Sequence, residues 1–154
     1  MILYLRDEVI GIGLDALTTD SREAHERYAE TYGITVRSGP HRTAHAAEKS
    51  DEAAANLAAA SDVLGRERID HGYQIVHAAA MLDRCVAEGV FFCCSTSATL
   101  PSLAGHYGWG DIAAIPSRTR IGAGIRVTLS TDSSRFPGSD PGTESTLDWS
   151  TIPS

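Results

Sequence analysis

Thr43-Ala-His-Ala-Ala-Glu48 decides how this chain is read. Arg42-Thr43-Ala44 has strand character and delivers His45 to the point where regular structure ends. Ala46 and Ala47 are small enough for a tight turn, and Glu48 follows three positions after His45. If a sheet ends at His45, its imidazole faces the mouth of that sheet and Glu48 swings back over it. An imidazole and a carboxylate on one rim are the parts of a metal site with an adjacent acid or base. The same pair also suits a strand-terminal histidine beside a solvated glutamate, so the flanking sequence has to decide.

Outward from this stretch, short apolar runs alternate with helical segments. Residues 9–14 are apolar without alternation, as expected of a strand buried on both faces. Thr19, Asp20 and Ser21 offer N-caps for a surface helix reaching Tyr32 and ending at Gly33. Ser50 is placed to cap an alanine-rich helix over 51–64, stopped by Gly65. Arg68-Ile-Asp-His71 is a short strand punctuated by Gly72. Residues 75–88 set Val76, Ala80, Met81, Leu82 and Val86 on one helical face, with Gly89 as the stop. Residues 90–94 and 125–130 are further strands. Between them, 95–110 reads as a loop and 111–122 as a helical stretch that starts or kinks at Pro116. Strands alternating with helices in this way argue for an α/β fold on a parallel sheet. The polar segment 133–154 reads as a poorly ordered tail.

Composition narrows the function classes. At 154 residues the chain is one ordinary domain's worth, with 42% hydrophobic and 21% charged residues. Asp plus Glu is 20 against 13 Lys plus Arg, a net charge of −7, and Lys49 is the only lysine. No basic patch exists for a nucleic-acid backbone, so no nucleic-acid partner is expected. The apolar runs are too short to span a bilayer and the first residues are unlike a signal peptide, so no membrane role is expected. Three cysteines, two of them adjacent at 93 and 94, form neither a disulfide framework nor a zinc knuckle, which sets a reduced, cytoplasmic expectation. No glycine-rich phosphate loop follows any strand.

In such a fold, chemistry collects at the C-terminal ends of the strands. Those ends carry His45, His71 and Asp132, with Glu48 just past the first. Imidazole nitrogen and carboxylate oxygen are zinc donors, and a site with one open position lowers the pKa of bound water to about 7. Each residue has a plainer reading: His71 as a structural histidine, Asp132 as a turn or N-cap residue.

Three blocks in order, 43–48, 68–72 (Arg-Ile-Asp-His-Gly) and 130–132 (Ser-Thr-Asp), resemble the adenosine/adenine deaminase family. Residues 9–14 resemble the strand before those blocks, and Cys94-Ser-Thr-Ser97 resembles a block that usually reads Cys-Pro-x-Ser-Asn. The resemblance implies a zinc-dependent TIM (β/α)8 barrel that hydrolyses the amino group from C6 of a purine. About the last five β/α units would occupy 1–132, giving an incomplete barrel, with 133–154 as the tail. It implies His45 and Asp132 as Zn2+ ligands and Glu48 as the acid that protonates the purine ring. His71 would orient the hydrolytic nucleophile and stabilise developing charge, and Ser133 and Ala16 would lie against the substrate, a purine base or nucleoside.

The departures are specific. The family's His-x-His pair, which supplies two zinc ligands, occurs nowhere in the chain, and His25, His41, His77 and His106 do not replace it by motif. About three strands before residue 9 are missing from the pattern. Ala47 stands at the family's glycine, Ser133 at its second aspartate, and Ala98 at its loop asparagine. These departures imply either a partner, whether a complementing N-terminal barrel chain or further copies of this chain, or a catalytically inactive truncated barrel. Residues 11–15 and 68–71 resemble the adenine deaminase branch, with an aminodeoxyfutalosine deaminase-like enzyme as the alternative.

Overall fold

The computed structural model describes residues 9–14, 24–48, 51–94 and 116–131. Strands β1 (Gly11–Leu14), β2 (His41–Ala46), β3 (Arg68–His71), β4 (Phe91–Cys94) and β5 (Arg126–Leu129) form one sheet, each parallel to its sequence neighbour. Helices lie between them: α1 (Ala29–Ser38) after a 3-10 turn at His25–Tyr28, α2 (Ala53–Asp62), α3 (Ala79–Ala87) after a 3-10 turn at Tyr73–His77, and α4 (Ser117–Gly122). Consecutive β/α units wound in this order are those of an incomplete (β/α)8 barrel. No helix among the described residues is long and apolar enough to cross a membrane.

The strand pleat sorts side chains into two sets. Ala44, Ala46, Ile69 and Phe92 point to the helices and are fully buried with Leu57, Ala60, Leu64, Ile75 and Cys85. Burying a leucine, isoleucine or phenylalanine contributes about 1.5–3 kcal/mol each, enough to fix α2 and α3 on the sheet. Thr43 and Asp70, on the opposite face, are joined by a 2.6 Å hydrogen bond from the threonine hydroxyl, and Arg68 pairs with Asp70 at 2.9 Å.

Four expectations need correction. The first helix does not stop at Gly33. Gly33 lies inside α1, and the stop is Gly39, whose φ of 95° ends the helix in the left-handed conformation that glycine adopts without strain. Burial of Tyr32 and Thr35 carries the helix across the glycine. Secondly, β1 is not buried on both faces. It is an edge of the described sheet, Ile10 is 83% exposed, and only Leu14 of the strand is buried.

Thirdly, α3 starts at Ala79, so its phase is reset by the 3-10 turn before it. Cys85 is the buried residue with Met81 and Leu82 beside it, whereas Ala80 and Val86 are exposed. Finally, α2 spans Ala53–Asp62, and Glu52 at its start makes no side-chain cap. Ser50, the 95–110 loop, Ala98 and the 133–154 tail lie outside the described residues.

Candidate active site

The register of β2 against β3 pairs His45 with Asp70 and Ala46 with His71. Partners in a parallel ladder share a face, so a fully extended β3 would send His71 to the helix side with Ala46. The backbone prevents this. His71 has φ 69° and Gly72 has φ 63°, two successive left-handed residues that break the alternation. The His71 ring comes to lie 4.7 Å from the His45 ring, centroid to centroid. Position 72 must be glycine, because a Cβ there would run into the ring of Phe92. A histidine in the left-handed region costs about 1–2 kcal/mol, and strain of this kind collects at functional positions.

Glu48 completes the group from the turn after β2, where Ala47 is also left-handed at φ 55°. Its Oε2 lies 3.8 Å from His45 Nε2, and its Oε1 lies 3.8 Å from His71 Nδ1. One donor atom from each of His45, Glu48 and His71 falls within 4.8 Å of the others. All three side chains are nearly enclosed, at 9–12% exposure. Two imidazoles and a carboxylate suit zinc, which takes three protein ligands and keeps a fourth position open in its catalytic sites. Among the described residues this is the cluster that fits a metal. Asp132, Ser133 and Ala16 lie outside the described residues, and the described chain continues past β5 to Thr131. The Ser130 amide still donates to the Cys94 carbonyl at 2.8 Å.

Three further residues, none of them singled out by sequence pattern, hold this end of the sheet. His25 is fully buried and its Nε2 donates to the His45 carbonyl at 2.8 Å. Burial pushes its pKa below the ordinary histidine value, which leaves a neutral ring with the proton on the nitrogen that faces the carbonyl. Tyr32 on α1 donates its hydroxyl to the Thr43 carbonyl at 2.6 Å, and burial raises its pKa to about 12. Arg120 on α4 is fully buried and donates Nη1 to the His71 carbonyl at 2.7 Å. No sequence signal marks Arg120, because α4 buries its polar residues Ser117 and Arg120 and exposes Ile121, the reverse of what an apolar pattern would indicate.

Residues 1–147 match the family model described as adenosine deaminase. This chain belongs to the adenosine deaminase family.

Among the family's curated members, the adenine deaminase of Cupriavidus taiwanensis is 30% identical over 141 residues, covering 88% of this chain and 36% of that protein. The adenine deaminase of Streptomyces coelicolor is 31% identical over 137 residues, with coverages of 86% and 36%. Two crystal structures share the fold. Adenine deaminase from Arthrobacter aurescens superposes with a TM-score of 0.72 at 26% identity, over 85% of this chain and 38% of that one. An amidohydrolase from Burkholderia ambifaria with bound Zn superposes with a TM-score of 0.79 at 26% identity, over 97% and 41%. This adenosine deaminase family chain thus spans little more than a third of the length of the curated relatives it matches.

Proposed function

We propose that this chain carries part of the active site of a zinc-dependent aminohydrolase that converts a purine, adenine in the first instance, to its oxo product and ammonia. The observation that carries the reading is the enclosed His45–Glu48–His71 cluster, at the strand ends where this family does its chemistry. His45 is a metal ligand, with Asp132 as a second outside the described residues. A bound zinc supplies a water acidified to near neutrality. Glu48 gives a proton to the purine ring nitrogen, which makes the amino-bearing carbon electrophilic. His71 orients the incoming water and takes up its proton as the water's oxygen bonds to carbon. That proton then passes to the amino nitrogen, and the carbon–nitrogen bond breaks to release ammonia. The new hydroxyl's proton returns to the Glu48 carboxylate to leave the oxo product. Ser133 and Ala16 are the positions assigned to purine contact. Adenine is favoured over adenosine because seven curated relatives that match are each an adenine deaminase.

Activity also needs donors that this sequence lacks, since it has no His-x-His pair. A complementing chain bearing that pair and the remaining strands, or further copies of this chain, would supply closing strands to β1 and β5. The test is ammonia release from adenine in zinc-containing buffer, by the chain alone and by the chain mixed with a polypeptide carrying the remaining barrel strands. Ammonia release and stoichiometric zinc are expected from the mixture, and both are expected to be lost on His45→Ala. A mixture that forms a soluble complex, yet neither holds zinc nor releases ammonia, would favour the reading as an inactive truncated barrel.

A further inference from the structure

We propose that Arg120 is a positioning residue for the candidate site, holding His71 in the left-handed conformation from which its ring reaches His45 and Glu48. This rests on the reading of His45 as a metal ligand with Glu48 and His71 acting beside it. The guanidinium arrives from α4, 49 positions along the chain, and is fully buried. Its Nη1 donates to the His71 carbonyl at 2.7 Å, and its Nη2 meets Cys94 Sγ at 2.8 Å and Ser117 Oγ at 3.4 Å. Its central carbon lies 4.7 Å from the centroid of the Tyr73 ring. Every one of these groups either belongs to the strand–turn around His71 or holds the guanidinium against it.

A plain packing role does not account for this residue. Burying a guanidinium is costly, and a leucine or methionine of similar length would fill the same space without that cost. No carboxylate among the described residues neutralises Arg120, so its charge is directed at a carbonyl dipole, a sulfur and a ring face. The residue whose carbonyl takes the shortest of these bonds is also the one whose backbone is strained. Rotating His71 back to extended geometry would turn its carbonyl away from Arg120 and its imidazole away from Glu48 together. Charge-assisted hydrogen bonds are about twice as strong as neutral ones, and this one opposes that rotation. The clamp therefore sets ring orientation through the main chain.

The test uses the full chain with Arg120→Met, Arg120→Lys and, as a control, Arg66→Met. Arg66 is likewise buried but serves the α2–α3 side, where it bonds Ser61 and Glu88. Two quantities are read: zinc Kd by competition with a chromophoric chelator, and the 15N and 1H resonances of the His71 ring at fixed pH. Arg120→Met is expected to weaken zinc about tenfold or more and to move the His71 resonances. Arg120→Lys, keeping a charged donor, should recover most of the loss, and Arg66→Met should lower Tm with zinc Kd unchanged.

Zinc Kd and His71 resonances that stay at their wild-type values in Arg120→Met would overturn the proposal, as would an equal zinc loss in Arg66→Met. If Arg120→Met does not fold, the wild-type guanidinium decides. Slowly exchanging, separately resolved Nη protons are expected, and one averaged, fast-exchanging signal would overturn the clamp. If neither the wild-type chain nor its mixture with the remaining barrel strands takes up zinc, the metal reading falls while the His71 and Arg120 resonances still judge the clamp.

Discussion

At each end of strand β2 a histidine meets a glutamate, and the two pairs behave as different chemistry. At the N-terminal end, His41 Nδ1 meets Glu67 Oε2 at 2.5 Å, with Arg42 on the other carboxylate oxygen at 2.6 Å. His41 is 75% exposed, so water and salt compete with every contact it makes. At the C-terminal end, His45 and Glu48 stand 3.8 Å apart and nearly enclosed, with the His71 ring beside them. The closer pair is the weaker device. What separates them is enclosure and a backbone bent on purpose: Ala47, His71 and Gly72 are all left-handed around the inner pair. In this architecture the C-terminal face serves chemistry and the N-terminal face serves stability, and residue type alone does not distinguish the two.

The largest expected break in this comparison is in metal binding. His45→Ala should weaken zinc by more than about 100-fold, beyond the roughly 10–100-fold attached to loss of an outer partner. His41→Ala, on the same strand, should change it less than about twofold, because an exposed imidazole paired with one carboxylate offers no closed donor set. Chelator competition on both variants measures it. Similar losses at the two positions would mean that the metal does not sit at the C-terminal end.

Next in size is the support behind the inner pair. His25→Phe keeps an aromatic ring but strips the His45 carbonyl of the Nε2 donor, and a buried acceptor that loses its partner costs about 1–3 kcal/mol. His25→Gln, which presents an amide N–H at similar reach, should recover about half or more. Urea denaturation midpoints compare the three proteins. A His25→Phe variant as stable as wild type would show that the inner end needs no such bond. A milder probe of the same strand is Tyr32. Its folded pKa, at about 12, is raised above the ordinary tyrosine value of 10.0, so the fold favours the neutral phenol. That contribution is fully present below pH 10 and lost as pH rises towards 12. Tm should therefore fall more steeply over that interval in wild type than in Tyr32→Phe.

The outer pair should respond weakly. Glu67→Gln removes the charge facing both His41 and Arg42, and exposed pairs of this kind contribute about 0.2–1 kcal/mol. The loss should shrink further in high salt. A salt-independent loss above about 2 kcal/mol would make the N-terminal end a structural keystone and erase the contrast.

Local patterns made much of this legible. The alternation of five strands with helices follows largely from short apolar runs, and the strand 68–71 from its punctuation by Gly72; both stand in the sheet. That His45, Glu48 and His71 lie near one rim is legible from the strand ends, but the left-handed backbone at His71 and Gly72 that turns the His71 ring to His45 is not. The helix limits failed where tertiary burial overrode a local signal, as at Gly33, or where a 3-10 turn shifted the helical phase before α3. His25 and Arg120 were illegible for another reason. Their bonds span 20 and 49 positions, and both sit in polar runs that read as solvated surface. A side chain whose task is to reach a distant carbonyl leaves no periodic trace in its own segment.

The smallest expected effect lies in the turn that bends the inner end. Ala46 and Ala47 are both fully buried, but only Ala47 is left-handed. Glycine at either position removes a buried methyl, worth about 0.8 kcal/mol, and loosens the unfolded chain. At 47 alone it also relieves a left-handed strain of about 1–2 kcal/mol. The two terms nearly cancel at 47, so Ala47→Gly should alter stability by less than about 0.5 kcal/mol. Ala46→Gly has no such relief and lies in β2, where glycine also weakens the strand, so it should cost about 1–2 kcal/mol. Paired urea denaturation of the two variants isolates the strain, since the chemistry removed is identical. Equal losses at 46 and 47 would mean that the turn stores no strain, leaving enclosure as the only thing that sets the inner pair apart from the outer one.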